Sequence, residues 1–259
     1  MMKTPYQQII DLIPNSWDDI TVDHYQFILE SEFEDDDGFF SKKIKSLEIL
    51  CGLEEGDELI DNLSLDELKD LISKIEFLNV LPQKVTSSFN GYTLIDFNKI
   101  KVGQYIDIDF WIGDINKNLH KIMSALYLKT KVDEWGNTIF EPYEFDINKR
   151  SDEFTVNPMS VTYGAVGSYL QWRERFIEDN KSIFIQEKID DDLDESMLSK
   201  DEVEELKMDE EKEKTKQKYA WPYFIYQLAN GDLIKMKSMF DLNMVYVINM
   251  FKMTKLFEN

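Results

Sequence analysis

With 259 residues, 43% of them apolar and including 17 Phe, 12 Tyr and 5 Trp, the chain holds core material for one large domain or two modest ones. Its formal charge of -22 excludes DNA, RNA and anionic membranes as default partners and suits a basic protein partner or simple solubility. The lone Cys51 excludes an internal disulfide, and the N-terminal MMKTPYQQIIDLIPNSW lacks the apolar run of a signal peptide, so a soluble product of a reducing cytoplasm is expected.

The first predicted element lies in SWDDITVDHYQFILE, residues 16–30, where Asp18, Asp19 and Asp23 stand beside His24, one of two histidines in the chain. These are ligand types for a divalent metal. They are also the grammar of a helix start. Thr21 is placed as N-cap, Ile20 and Tyr25 as hydrophobic staple, and Asp23 as complement to the helix dipole, with Val22, Tyr25, Ile28 and Leu29 facing inward. No second cluster accompanies the acids, and His120 has no companion motif, so the helix reading is favoured. FEDDDGFFSKKI fails as a calcium loop: with Gly38 at the glycine position, Phe33 and Ile44 fall at the two essential ligand ends.

FFSKKIKSLEILCGL predicts a second helix, closed by Gly52. In LSLDELKDLISKIEFL, Ser64 and Glu67 form a capping box, Leu63 and Leu68 a staple, and Leu65, Leu68, Leu71, Ile72, Ile75 and Leu78 one apolar face. KVTSSFNGYTLIDF then predicts a hairpin turning at Asn90-Gly91, because a type I′ turn needs positive φ at both central residues. IKVGQY, residues 100–105, repeats the Ile, Val and Tyr of ITVDHY, residues 20–25; six residues suggest a duplication without establishing one.

NKNLHKIMSALYL predicts a helix with Leu119, Ile122, Met123, Leu126 and Tyr127 on one side. Residues 129–160 read as a loop, which serves as a packed lid, a short hairpin around Gly136-Asn137 or a partner surface. Helical spacing resumes through Tyr163, Val166, Leu170 and Phe176, with Gly164 and Gly167 weakening the start. Residues 187–217 hold 14 acidic and 6 basic residues and no aromatic, the composition of a flexible acidic linker or an exposed single helix. The apolar remainder predicts two helices divided at Asn230-Gly231.

The expected architecture is mainly α with a small β-hairpin (α+β) and helical bundle-like packing. Four regions follow: an N-terminal helical region at 1–81, a hairpin plus helical region at 82–186, the acidic segment at 187–217 and an apolar helical segment at 218–259. No carboxylate pair is singled out for hydrolysis, and YGAVGSY has neither the preceding strand nor the Lys-Ser/Thr of a phosphate loop. Cys51 ends an apolar helix face, the ordinary place for a buried structural thiol, and two arginines in LQWRERF do not offset the surrounding acid. A non-enzymatic protein without cofactor or metal is expected.

The succession LIPNSWDDITVDHYQFI, LEILCGL with LSLDELKDLISKIEFL, a hairpin, KVGQYIDID and a terminal W..FIYQLANGDLIKM resembles small virion-gene products of tailed phages infecting Bacteroidetes, including crAss-like phages. Some of these look like tail assembly chaperones or neck and tail components. The resemblance covers most of the chain outside the acidic segment and carries over no functional residue. It implies an assembly role among other phage structural proteins, in the host cytoplasm and then in the virion neck or tail, with homo-oligomer formation as a further expectation. Direct nucleic-acid or membrane contact is not expected. The candidate partner-binding residues are Trp135, Phe140 and Tyr143 in the 129–160 stretch and Trp221, Tyr223, Phe224, Met239 and Phe240 in the C-terminal segment. The alternative, suggested by charge, is an acidic nucleic-acid mimic that occupies the basic cleft of a DNA-acting protein.

Overall fold

A computed structural model describes residues 3–34, 39–143, 147–184 and 220–258. It is mainly helical with one four-stranded antiparallel sheet. The elements in order are α1 (Pro5–Leu12), α2 (Val22–Glu34), α3 (Phe39–Cys51), α4 (Glu58–Asp61), α5 (Leu65–Lys74), β1 (Ser88–Phe89), β2 (Tyr92–Leu94), α6 (Val102–Ile112) and α7 (Ile115–Leu126). There follow β3 (Tyr127–Val132), β4 (Thr138–Phe140), α8 (Ile147–Thr155), α9 (Met159–Asp179), α10 (Lys181–Phe184), α11 (helical over 220–228), α12 (Leu233–Phe240) and α13 (Met244–Glu258). The acidic 187–217 stretch lies outside the described residues.

Two compact units emerge, one of Met1–Ile95 with Trp111–Leu170, the other of Asp96–Phe110 with Gln171–Asn259. The boundaries expected at 81 and 186 do not coincide with this division. It follows long-range contacts, which tie early segments to late ones.

In the first unit the helix caps are those the sequence announces. Ser64 Oγ accepts the Glu67 N–H while Glu67 accepts the Ser64 N–H at 2.9 Å, and Thr4 with Gln7 repeats the arrangement on α1. α3 ends at Gly52 with φ +65, where Leu53 N–H donates to the Glu48 carbonyl six-to-one, as a Schellman closure requires. Leu71 and Ile75 are fully buried, but Leu65, expected on the same face, is 57% exposed, because it sits in the first turn outside that stripe. The predicted helix stops at Lys74, and Glu76–Asn79 continue as a 3-10 turn that carries Leu78 inward.

The hairpin forms at Asn90 (φ 47) and Gly91 (φ 80). Its second strand pairs onward with β3 and β3 with β4, in sheet order β1-β2-β3-β4. Within the 129–160 stretch, the short hairpin around Gly136-Asn137 offered by the sequence is present, and the reading of the rest as loop is corrected by a helix. The first part of the stretch is a β-ribbon around Gly136, and its later part is α8, whose weakly helical sequence is held by tertiary contact: Phe154 and Ser151 are buried and α8 lies against α7. Gly164, read as a weak point of α9, has a packing role. A β-carbon there would collide with the Lys84 carbonyl, so only glycine lets the extended 84–85 chain lie on the helix.

In the second unit the apolar C-terminal segment divides into three described helical pieces where two were expected. The first break is at Asn230-Gly231, both with positive φ. The second is at Asn243, whose side chain caps α13 by accepting the Tyr246 N–H at 2.8 Å.

The Ile-x-Val-x-x-Tyr echo has a structural counterpart longer than its sequence. In residues 16–25, Ser16 Oγ accepts the Asp18 N–H and the Ser16 carbonyl accepts the Asp19 N–H. In residues 96–105, Asp96 Oδ1 accepts the Asn98 N–H and the Asp96 carbonyl accepts the Lys99 N–H. An aromatic follows in each, Trp17 or Phe97, then the shared Ile, Val and Tyr, all six buried.

Each of these helix starts then joins a second one by a single antiparallel bridge, Thr21 with Pro158 in the first unit and Lys101 with Asn243 in the second. Val22 N–H donates to the Asn157 carbonyl at 3.0 Å, and Met159 N–H returns a bond to the Ile20 carbonyl at 2.8 Å. Correspondingly, Val102 N–H donates to Leu242 at 2.9 Å and Met244 N–H to Ile100 at 2.9 Å. All four donors are first residues of helices, α2, α9, α6 and α13, and all four are fully buried. A helix leaves its first N–H groups without partners, and leaving one buried costs about 1–3 kcal/mol. Exchanging main-chain bonds between two helix starts removes that cost twice at each junction.

Candidate functional surface

Within the acid-and-histidine group of residues 18–24, Asp18, Asp19 and the His24 main chain make structural hydrogen bonds. Thr21 Oγ1 caps α2 by accepting the His24 N–H at 3.2 Å, Asp19 accepts the Asn15 N–H at 3.0 Å, and Asp18 accepts the Ser160 hydroxyl. Among the described residues no group of three or more His, Cys, Asp or Glu is placed to hold a metal ion.

The other histidine lies in a polar seam between helices. His120 Nδ1 is 2.8 Å from Gln26 Oε1 while Gln26 Nε2 donates to the Asn116 carbonyl, which makes Nδ1 the protonated ring nitrogen. Burial pulls the imidazole below its ordinary range, aided by Lys121 and opposed by Asp152 and Asp23. Burial also lifts the Cys51 thiol to about 11, as befits a structural cysteine. On the sheet, Tyr92 donates to Glu153 at 2.5 Å, and Lys129 both pairs with Glu153 and lies over the Tyr92 ring. In the second unit Arg173 Nε donates to Asp109 at 2.7 Å. Each group ties one helix or strand to another.

Large exposed apolar side chains gather in two places. The first is the C-terminal segment. α13 has apolar residues on two faces: Met244, Val247 and Ile248 are buried, while Tyr246, Met250 and Met253, spaced i, i+4, i+7, form a second stripe in solvent. α12 adds Leu233 and Ile234, the latter 82% exposed, and α11 adds Tyr223 and Tyr226. Methionine and tyrosine suit such a surface, since flexible thioethers and amphipathic rings adapt to a partner. The second place is the ribbon, where Val132, Ile139 and Phe140 are exposed and Trp135, at the turn, is 82% exposed.

The eight residues proposed from sequence divide accordingly. Trp135, Phe140 and Tyr223 are in solvent. Trp221 and Phe224 are half-buried in an aromatic cluster with Tyr105 and Phe251, at centroid distances of 5.1 Å for Trp221–Tyr105 and 4.9 Å for Phe224–Phe251. Met239 and Phe240 are also half-buried. Tyr143 is only 7% exposed, with the Arg150 guanidinium 5.3 Å from its ring centroid, so it belongs to the interior. The stripe Tyr246, Met250 and Met253 was overlooked by sequence reasoning. The signal for it was present, since MVYVINMFKM has only Asn249 and Lys252 to give to water.

Among the described residues no helix is long and apolar enough to cross a membrane. Comparison with protein families, with curated proteins and with solved structures finds no match.

Proposed function

We propose that the chain is a non-enzymatic structural or assembly protein of a tailed phage, a neck or tail component or a tail assembly chaperone, which works by binding other virion proteins. The observation that carries this reading is the exposed apolar stripe on α13 together with the exposed residues of α11 and α12. Exposed apolar side chains concentrated in one segment are costly in water and ordinarily mark a contact surface. Its charge fits the role. Residues 220–259 have four lysines and three acids in a chain of net charge -22, so a protein partner meets little repulsion there.

Proteomics of purified particles tests the reading. Presence in the particle supports a neck or tail component, and presence only in assembling lysates bound to a tail protein supports a chaperone. A strictly monomeric chain that is absent from particles and retains no tail, neck or portal protein refutes both.

The acidity of the first unit supports a second reading, an acidic mimic of nucleic acid seated in a basic cleft. That unit has 28 acidic and 13 basic residues, a net charge of -15. Binding of this kind weakens steeply with salt, and an affinity for a DNA-acting protein that is equal at low and high salt contradicts it.

A further inference from the structure

The β-ribbon carries a surface of a different kind from the C-terminal stripe. Two main-chain bonds, Asp133 N–H to the Asn137 carbonyl and Glu141 N–H to the Lys129 carbonyl, both 2.9 Å, set the phase of its ladder. With Lys131 opposite Ile139, the pairs 129/141, 131/139 and 133/137 face one another through hydrogen bonds. The intervening pairs, Thr130 with Phe140 and Val132 with Thr138, turn their N–H and C=O groups outward. On β4 these outward groups belong to Thr138 and Phe140, and among the described residues β4 is the last strand of the sheet, with all three of its residues exposed.

The edge is also held ready. The pairing of β2 ends at Lys129, so from Thr130 the ribbon is two-stranded, and such a hairpin is marginal by itself. Its turn is pinned by Asp133, whose carboxylate accepts the N–H groups of Trp135 at 2.9 Å and Asn137 at 2.8 Å and the Asn137 side-chain amide at 3.1 Å, with Gly136 at φ 84. Sheet edges are usually blunted by a lysine, a proline or a bulge. Here the strand reads Thr-Ile-Phe, and Pro142 comes only after it.

We propose that the β4 edge accepts an extended, basic segment of another protein as a fifth strand. The four outward main-chain groups of Thr138 and Phe140 provide the ladder, and Ile139 on one face with Phe140 on the other selects an alternating apolar pattern. Charge selects the occupant. The unit bearing the ribbon has a net charge of -15, which a lysine-rich strand neutralises and a second copy of the chain doubles. The inference rests on the ribbon and on the charge of its unit and does not depend on the partner's being a virion protein or on the C-terminal stripe.

The test adds a synthetic peptide alternating lysine with valine, or its glutamate-valine counterpart, to the full chain and follows amide hydrogen exchange residue by residue. The lysine peptide is expected to slow exchange at Thr138 and Phe140 while leaving Ile139, already bonded to β3, unchanged. Its binding is expected to weaken about tenfold between about 0.05 and about 0.5 M salt. Thr138→Pro deletes an outward donor without touching the β3 ladder and is expected to weaken binding about tenfold, whereas Thr138→Val keeps the donor and the affinity. An unchanged circular dichroism spectrum shows that both variants fold. Absence of binding, equal binding of the glutamate peptide or indifference to Thr138→Pro overturns the proposal. Concentration-dependent dimers that protect the same two amides without peptide also overturn it, by assigning the edge to a second copy.

Discussion

The helix-start junction of the first unit and that of the second share their buried residues and main-chain bonds and differ in polar decoration. Ile20, Val22 and Tyr25 correspond to Ile100, Val102 and Tyr105, and Met159 to Met244, in burial and in bonding. Asp18, Asp19, Asp23 and His24 correspond to Asn98, Lys99, Gly103 and Gln104. The junction forms with either set. The acids and histidine that suggest a metal site are therefore the replaceable part, and what recurs is a way of satisfying two helix N-termini at once.

The equivalence is open to direct attack. Ile20→Ala and Ile100→Ala each empty a fully buried site beside the exchanged bonds and are expected to cost about 2–5 kcal/mol by denaturant unfolding, with comparable losses in the two variants. A large loss at one site and none at the other breaks the comparison. Next in size is a contrast within α9. Gly164→Ala is expected to destabilise by at least about 1 kcal/mol because its β-carbon meets the Lys84 carbonyl. Gly167→Ala, with open space around it, is expected to stabilise by up to about 1 kcal/mol through helix propensity. Equal signs for the two alanines contradict the close approach.

Smaller still is the effect of exchanging the decoration. The double change Asp23→Gly and His24→Gln gives the first junction two of the second's residues and, glycine's helix penalty aside, is expected to shift stability by about 0.5 kcal/mol or less. A much greater loss restores a special role to the acidic group.

The pH dependence sharpens the same region. Because burial lowers the His120 pKa, the unfolded chain binds its proton more readily than the folded one. Stability from this residue is complete above the ordinary histidine value of about 6.5 and falls as pH drops through that value toward the lowered one. His120→Gln is expected to flatten stability against pH in that window, measured by urea titration at a series of pH values.

Much of this was legible in the chain because it depends on neighbours in sequence. The Ser64–Glu67 box, the Gly52 closure, the Asn90-Gly91 turn and the Thr21 cap are each set by residues within a few positions. What could not be read depends on distant contact. α8 is made helical by its burial on α7, Gly164 is required by a segment eighty residues earlier, and the junction partners Pro158 and Asn243 lie far from Thr21 and Lys101. The same limit governs the candidate surface. Trp135 and Tyr223 stand out by aromatic type, but the exposure of Tyr246, Met250 and Met253 and the burial of Tyr143 follow from tertiary position. Leu65 shows the converse, an apolar residue at helical spacing that the core does not reach.

The proposed assembly role is tested most directly by capture from phage-infected lysate, comparing the wild-type chain with a variant carrying Tyr246→Ser, Met250→Ser and Met253→Ser. These side chains are exposed, so the variant is expected to fold with stability changed by about 0.5 kcal/mol or less. The expected result is that the wild type retains a neck, tail or portal protein and the variant loses at least about tenfold of it, as removal of a contact centre requires. Equal retention by the two chains, or no virion protein retained by either, contradicts the account.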